Sequence, residues 1–363
     1  MPEEESGLPF VSSLGLSITD ACPITCSHCI VNAGPHRKGR MKIEELYSWM
    51  QQASAYRNGY ITSVVITGGE PFYDLPLLRD VLACALSWRL VPIVMTNAFW
   101  AKTLQATQDV LRSLPHISML NVSTDSYHQR FIPLRYAANA LLAAKSLGIK
   151  YSAAVCVETE HDPASQRTIS ELRNLIPDCS ILSAGICPAG RARKLRDGRL
   201  ELTKMYPPWP CTDADCPTVF PDGRLIACMA MVQQLPNAHP LLLGNLRESS
   251  LQELLEQAER NTALHILRVW GPAHLFEMLE RAGARDLLPK TYTKHCCCDL
   301  CYALARDSRL LGILLELIKD TALSKKVAYA RLFYLHEPVV PELQNQFAGL
   351  KSISEGGQHG TEL

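Results

Sequence analysis

Short apolar runs alternate with longer amphipathic stretches along the first half of the chain. The runs 14–18, 63–67, 92–96, 117–122, 151–157 and 180–186 read as strands. Between them, apolar residues recur at helical spacing near 43–57, 75–88, 103–113, 133–147 and 165–175. Six strands alternating with helices predict βαβ units and a parallel sheet. Right-handed crossovers would curl it into an open or partial (β/α)6 barrel. In such a barrel the reactive groups belong at the C-terminal ends of the strands.

The alternation stops near residue 200. Lys194-Leu195-Arg196-Asp197-Gly198-Arg199 is charged, and the prolines of Tyr206-Pro207-Pro208-Trp209-Pro210 forbid a helix interior. The expected layout is an N-terminal extension over 1–13, the barrel over 14–200, a small α+β domain over 201–302, a helical tail over 303–340 and a disordered end over 341–363. Within 201–302, the turn Pro221-Asp222-Gly223 lies between apolar runs and predicts a hairpin. Helical stretches follow near 248–268 and 273–283. In the tail, Leu310, Leu311, Leu314, Leu315 and Ile318 recur at helical spacing, which predicts a packing or dimer surface.

Charge narrows the function. Among 363 residues, Lys+Arg is 36 and Asp+Glu is 36, so the formal net charge is zero. A nucleic-acid or anionic-membrane binder would carry a basic excess. No apolar run is long enough to span a bilayer. Met1-Pro2-Glu3-Glu4-Glu5 is acidic and without an apolar run, so a secretory signal is not expected. The expected compartment is the cytoplasm. There, 14 cysteines at short spacings point to metal before disulfides.

The cysteines fall into groups. Cys84, Cys156 and Cys179 are isolated and read as small buried hydrophobes, while Cys187 follows the sixth strand. Cys22, Cys26 and Cys29 have C-x3-C-x2-C spacing on a polar loop after the first strand. Three thiolates on one loop do not close a tetrahedral zinc site unless a distant ligand such as His28 or His36 completes it. They can hold three irons of a cubane and leave the fourth iron open to a chelating ligand.

This loop, together with Thr67-Gly68-Gly69-Glu70-Pro71 at the end of the second strand, resembles the radical S-adenosylmethionine superfamily. The resemblance covers 14 to about 195 and extends more weakly to about 302. It implies a [4Fe–4S] cluster whose open iron binds S-adenosylmethionine. Reductive cleavage would release a 5′-deoxyadenosyl radical that abstracts a substrate hydrogen atom. It also implies an electron donor such as flavodoxin or ferredoxin. Gly68, Gly69 and Glu70 resemble the motif that receives the methionine amino group. There, glycines would let backbone carbonyls approach the ligand and a carboxylate would accept from an ammonium. His28 stands where the family usually places an aromatic residue beside the adenine. Ser123 and Asp125, at the end of the fourth strand, match positions that often contact the ribose. Arg191, in Pro188-Ala189-Gly190-Arg191-Ala192, would pair with the methionine carboxylate or with substrate. His128 would touch substrate or move a proton.

The remaining cysteines resemble the twitch and SPASM extensions of this superfamily. Cys211, Gly223 and Cys228 precede Cys298-Asp299-Leu300-Cys301, which would make four ligands for one auxiliary [4Fe–4S] cluster. Cys211 fits the spacing to Gly223, Cys216 is nearer the strand, and both stay open as ligands. The C-x2-C-x5-C-x3-C run of a two-cluster domain is absent, which favours a single cluster. A zinc ribbon also fits two cysteine pairs. Cys187, Cys216, Cys296 and Cys297 remain as ligands of a second cluster or as thiols that hand a hydrogen atom to a substrate radical.

The implied function is modification of a ribosomally made peptide by cross-linking, oxidation or epimerisation. The alternative is a radical dehydrogenase or rearrangement enzyme for a sugar-like or amino-acid-like metabolite, and the third reading is a non-catalytic metal scaffold. Of the two fates of a substrate radical, oxidation is expected, because several spare thiols lie in the cluster-bearing segment. The barrel begins by residue 14, so a separate recognition protein or the helical tail would hold a leader peptide.

Overall fold

The computed structural model describes residues 10–228, 235, 239–337, 340 and 343. Five βα units come first: β1 (Ser13–Thr19), α1 (Ile43–Ala55), β2 (Ser63–Gly68), α2 (Leu75–Ser87), β3 (Val91–Thr96), α3 (Leu104–Ser113), β4 (Met119–Ser123), α4 (Leu134–Ser146), β5 (Lys150–Val157) and α5 (Pro163–Leu175), closed by β6 (Ser180–Gly185). β1 to β6 pair in chain order, all parallel. Leu14, Leu16 and Ile18 of β1, with Val64 and Ile66 of β2, are buried in the main core with α1 and α2. The alternate residues Ser17, Val65, Met95, Ser123, Ala154 and Ala184 line one cavity. Side chains from β1 and from β6 meet at that cavity, so the six-stranded sheet is curved around it, as the alternation of strands and helices predicts.

Beyond β6 come β7 (Leu202–Thr203), β8 (Thr218–Val219), β9 (Arg224–Ile226), β10 (Leu242–Asn245), α6 (Leu251–Glu259), α7 (Thr262–Val269), α8 (Pro272–Arg281), β11 (Tyr292–Thr293), α9 (Cys298–Arg306), α10 (Ser308–Leu317) and α11 (Thr321–Tyr334). The expected hairpin is β8–β9. β8 pairs parallel with β1, and the sheet runs β10-β9-β8-β1-β2-β3-β4-β5-β6. The 201–302 segment therefore extends the barrel sheet. Gly15 makes the junction possible, since a Cβ there would lie 2.2 Å from Thr218 Oγ1.

The expected 248–268 helix is two helices, because the Asn261 side chain accepts from Leu264 N–H and starts α7. The tail is likewise cut into three by Asp307 and Asp320, which cap α10 and α11. β7 and β11 form a separate two-stranded sheet that the pattern did not predict. The expectation of a disordered end over 341–363 lies outside the described residues except at Leu343, as does residues 1–9 of the N-terminal extension.

A buried ion network holds α11. Arg331, 1% exposed, donates from Nη2 to Glu259 at 2.6 Å and from Nε to Glu337 at 2.8 Å. Arg268 of α7 also binds Glu337, and Arg57, just past α1, reaches Glu259 at 3.2 Å. Three separate parts of the chain thus share two carboxylates. Removing one member leaves a buried charge unpaired, which costs about 3–5 kcal/mol. Arg331→Ala should therefore lower the urea midpoint markedly, and Glu337→Ala similarly. A shift equivalent to less than about 1 kcal/mol in both variants would show that the network does not hold this helix.

Candidate active site

The first cysteine loop is set by backbone pairing. Cys22 N–H donates to Gly34 O at 3.2 Å, and Cys29 N–H donates to Cys26 O at 3.2 Å. Cys22 and Cys26 are buried and Cys29 is half-buried, packed with Ile24, Ala33 and Ile132. Burial pushes the Cys22 thiol up to about 12 and the Cys26 thiol higher. Such thiols ligate only if a bound cation reverses that cost, as a metal does. Ser27 Oγ and His28 Nδ1, in the same loop, are buried without a hydrogen-bond partner, as expected where a polar ligand completes a site. The donor set and the orphaned atoms fit a cubane cluster with a chelating ligand.

The glycines of the second-strand motif serve a closer purpose than ligand approach. Gly68 has φ +139°, and a Cβ there would lie 2.4 Å from Thr19 O; a Cβ on Gly69 would lie 2.1 Å from Ala21 O. Only glycine lets the end of β2 pass against the end of β1. Glu70 is 1% exposed and already occupied. Its Oε2 accepts from Asn97 N–H at 2.7 Å, and its Oε1 accepts from Thr96 Oγ1 at 2.7 Å and Phe72 N–H at 3.1 Å. Full burial pushes its carboxyl up to about 7, against those hydrogen bonds. An incoming ammonium would have to share a carboxylate that already ties β2 to β3. Asn97 Nδ2 in turn points at Cys22 Sγ, 3.5 Å away.

Asp125 joins two imidazoles. Its Oδ1 accepts from the Tyr127 and His128 backbone at 2.9 and 3.0 Å, and its Oδ2 lies 3.3 Å from His28 Nε2 and 2.9 Å from His128 Nδ1. Burial raises its pKa, but His128 and then His28 prevail and hold it well below the usual range. His28 stacks on Tyr127 at 4.7 Å. His28, Ser123, Asp125 and His128 all line the cavity. Arg191 lines it too, but its Nε donates to Cys26 O at 2.8 Å and its backbone N–H donates to Cys29 O at 3.0 Å. It therefore clamps the cysteine loop from the β6 side.

The later thiols form two sets that share Cys298. Burial pushes Cys211 and Cys301 up, and the charges of Cys298 and Cys228 push both further, so Cys211, Cys228, Cys298 and Cys301 lie within electrostatic reach of one another. The other set is a close contact, with Cys187 and Cys296 sulfurs 3.1 Å apart and Cys298 within 4.8 Å of both. Cys187 and Cys296 share a hydrogen, which pushes Cys187 up and holds Cys296 down. Cys297 is raised by its contact with Cys298 and by burial. Cys216 belongs to neither set: burial, then Asp215 and Asp213, push it to about 12.

The cavity is about 570 Å³ and runs from the first cysteine loop to Cys187, Asp213 and Cys216. Cys84 and Cys179 are buried in the core, as expected. Cys156 is not simply a buried hydrophobe: it is half-buried on the cavity wall, against Asp125. Its parity with Ser152 and Ala154 along β5 was the available signal. Asp213 carried no sequence signal, because the loop that brings it to the cavity has no periodicity.

Residues 16–172 match the sequence profile of the Radical SAM superfamily. YydG of Bacillus subtilis (strain 168), whose name assigns it to peptide biosynthesis, is 22% identical over 315 residues, which is 83% of this chain and 94% of YydG. Among solved structures, BtrN in complex with AdoMet and 2-DOIA aligns over 74% of this chain and 89% of its own, with 14% identity and a TM-score of 0.45. The carboxyl transferase domain of Rhizobium etli pyruvate carboxylase aligns with a TM-score of 0.29 and 10% identity, over 89% of this chain and 58% of its own.

Two predictions follow from the thiol geometry. Replacing Cys22, Cys26 and Cys29 together by Ala should abolish 5′-deoxyadenosine formation; undiminished cleavage would refute the loop as the first cluster's ligand set. Cys301→Ala should lower iron after anaerobic reconstitution by roughly 4 Fe per chain, whereas Cys216→Ala should leave iron unchanged. Iron lost in Cys216→Ala would give Cys216 the role of Cys211, and unchanged iron in Cys301→Ala would show that Cys301 holds no cluster.

Proposed function

Because this chain belongs to the radical S-adenosylmethionine superfamily, we propose that it modifies a ribosomally made peptide by replacing a hydrogen atom at a peptide carbon. When bound, the cluster and S-adenosylmethionine supply a 5′-deoxyadenosyl radical, which removes that hydrogen. Cys22, Cys26 and Cys29 would hold the cluster. Gly68, Gly69, His28, Ser123 and Asp125 would cradle S-adenosylmethionine. Cys211, Cys228, Cys298 and Cys301 would hold one auxiliary [4Fe–4S] cluster of the twitch kind. A reducing compartment, the cytoplasm, suits these thiols.

The observation that carries the hydrogen-replacement reading is Cys216, a cavity thiol apart from the close set and the four-thiol group. A radical quenched by a thiol takes its hydrogen and leaves a thiyl, which a proton and one electron from a one-electron donor of the flavodoxin or ferredoxin kind restore. Inversion requires that delivery come from the face opposite to removal. Cys156 lies beside Asp125 and feels the charge of Cys26, on the removal side. Cys187 shares its hydrogen with Cys296, and neither Cys296 nor Cys297 is among the residues lining the cavity. Cys216, whose ionisable neighbours are Asp213 and Asp215, is left as the donor. This departs from the expectation of oxidation, which counted every spare thiol in the later segment as a possible ligand. The name of YydG supports a peptide substrate. A separate recognition protein or the helical tail would hold its leader.

Turnover in deuterated water tests this. The product should gain one deuterium, and Cys216→Ala should abolish that gain while 5′-deoxyadenosine still forms. A product two hydrogens lighter would instead establish oxidation and overturn the role of Cys216.

A further inference from the structure

The chain as a whole is neutral, but the surface around the first cysteine loop is not. No Asp or Glu occurs between Ala21 and Ile43, a stretch that holds the three cysteines and then His36, Arg37, Lys38, Arg40 and Lys42. The loop packs on two other segments through Phe99 and through Ile132 and Tyr136. These are also free of acid: none occurs from Asn97 to Gln108, and none from Ser126 to Val157. They contribute Lys102 and Arg135, both exposed, and Arg135 lies over the Tyr136 ring at 5.3 Å. The acids near this surface are Asp20, 3.2 Å from Arg37, Asp74, 2.6 Å from Arg40, the exposed Glu44, and Glu45, which feels Lys42 but is paired with Arg247. Lys38 and Lys102 form no ion pair among the described residues. The exposed rings of Tyr73 and Phe131 stand on the same rim, after β2 and β4.

We propose that this cationic collar is the docking surface for an acidic one-electron carrier protein that reduces the first cluster. The inference rests on the radical reading above, since reductive cleavage consumes one electron per event. The three thiols are buried or half-buried, so a carrier reaches them through the surface that covers them. The collar is that surface: Gly34 O, bonded to Cys22 N–H, lies two residues before His36. Unpaired lysines around exposed aromatic rings suit a partner with a negative rim. One electron leaves the reduced carrier and enters the site held by Cys22, Cys26 and Cys29; no atom is transferred. Charge complementarity of this kind acts mainly on the rate of encounter and makes it salt-dependent.

The test uses the reconstituted protein and reduced flavodoxin, with dithionite as a small reductant that needs no docking surface. Lys38→Glu/Lys102→Glu should weaken flavodoxin binding about 10-fold at low salt and slow flavodoxin-driven 5′-deoxyadenosine formation similarly. Dithionite-driven formation should stay within about twofold, and added salt should narrow the gap between variant and unaltered protein. Arg135→Glu provides a second position on the other side of the loop, with the same outcome expected. Equal affinity in all three proteins, or binding insensitive to salt, would overturn the proposal. If the unaltered protein failed to cleave S-adenosylmethionine even with dithionite, the chemistry would fall, and the affinity measurement would still decide the surface.

Discussion

No side chain fits between the end of β1 and the end of β2. The Gly68 and Gly69 positions lie against the carbonyls of Thr19 and Ala21 too closely for any Cβ. That approach fixes where the cysteine loop leaves the sheet. Glu70, immediately after, uses both carboxylate oxygens to fasten β2 to the Thr96–Asn97 end of β3, and Asn97 reaches Cys22. From the far side of the barrel, Arg191 and the backbone after Gly190 grip the carbonyls of Cys26 and Cys29. Gly190 sits at φ +55° with no room for a Cβ beside Ile30 O. The loop is thus held at both ends, and its thiols are buried at Cys22 and Cys26 and half-buried at Cys29 as a result. Burying them is unfavourable for thiolates until a cation is bound, so the fold of the loop and its chemistry are one constraint.

The sheet was legible because β1 to β5 each carry buried residues on one face and end at a break, while β6 is largely exposed and packs on the core through Ile181. Leu14, Leu16 and Ile18 bury on one side, and the periodicity of two assigns Ser17 to the other. The later helices were less legible. Asp307 and Asp320 sit inside an unbroken apolar pattern, and their capping contacts interrupt a helix that periodicity alone would continue. The junction of β8 with β1 was not legible at all. It is a two-residue pairing that depends on Gly15 making room for Thr218.

Spacing alone also left Cys211 and Cys216 equal, for a geometric reason. A 3₁₀ turn at Asp213–Asp215 separates them. Cys211 is fastened by its N–H to Leu267 O, on α7, and feels the charges of Cys298 and Cys228. Cys216, past the turn, enters the cavity beside β8. Sequence distance to a strand does not say which side of that turn faces the later thiols.

The polar groups of this molecule divide by whether the protein satisfies them. Arg331, Glu259 and Glu337 are as buried as anything in the cavity, yet each is met by an opposite charge at hydrogen-bond distance. Their cost is offset inside the chain, and they hold α11 in place. Ser27 Oγ and His28 Nδ1 are buried with no partner, on the loop that carries the three thiols. Tyr56 Oη and Trp88 Nε1 are also buried without a partner, but they lie in or against the main core, away from the cavity, whereas a hydroxyl and an imidazole on the cysteine loop turn readily toward one. That they stay open beside a cavity, and that Asp125 keeps one oxygen between two imidazoles there, is the physical mark of a site shaped for a polar ligand rather than for stability.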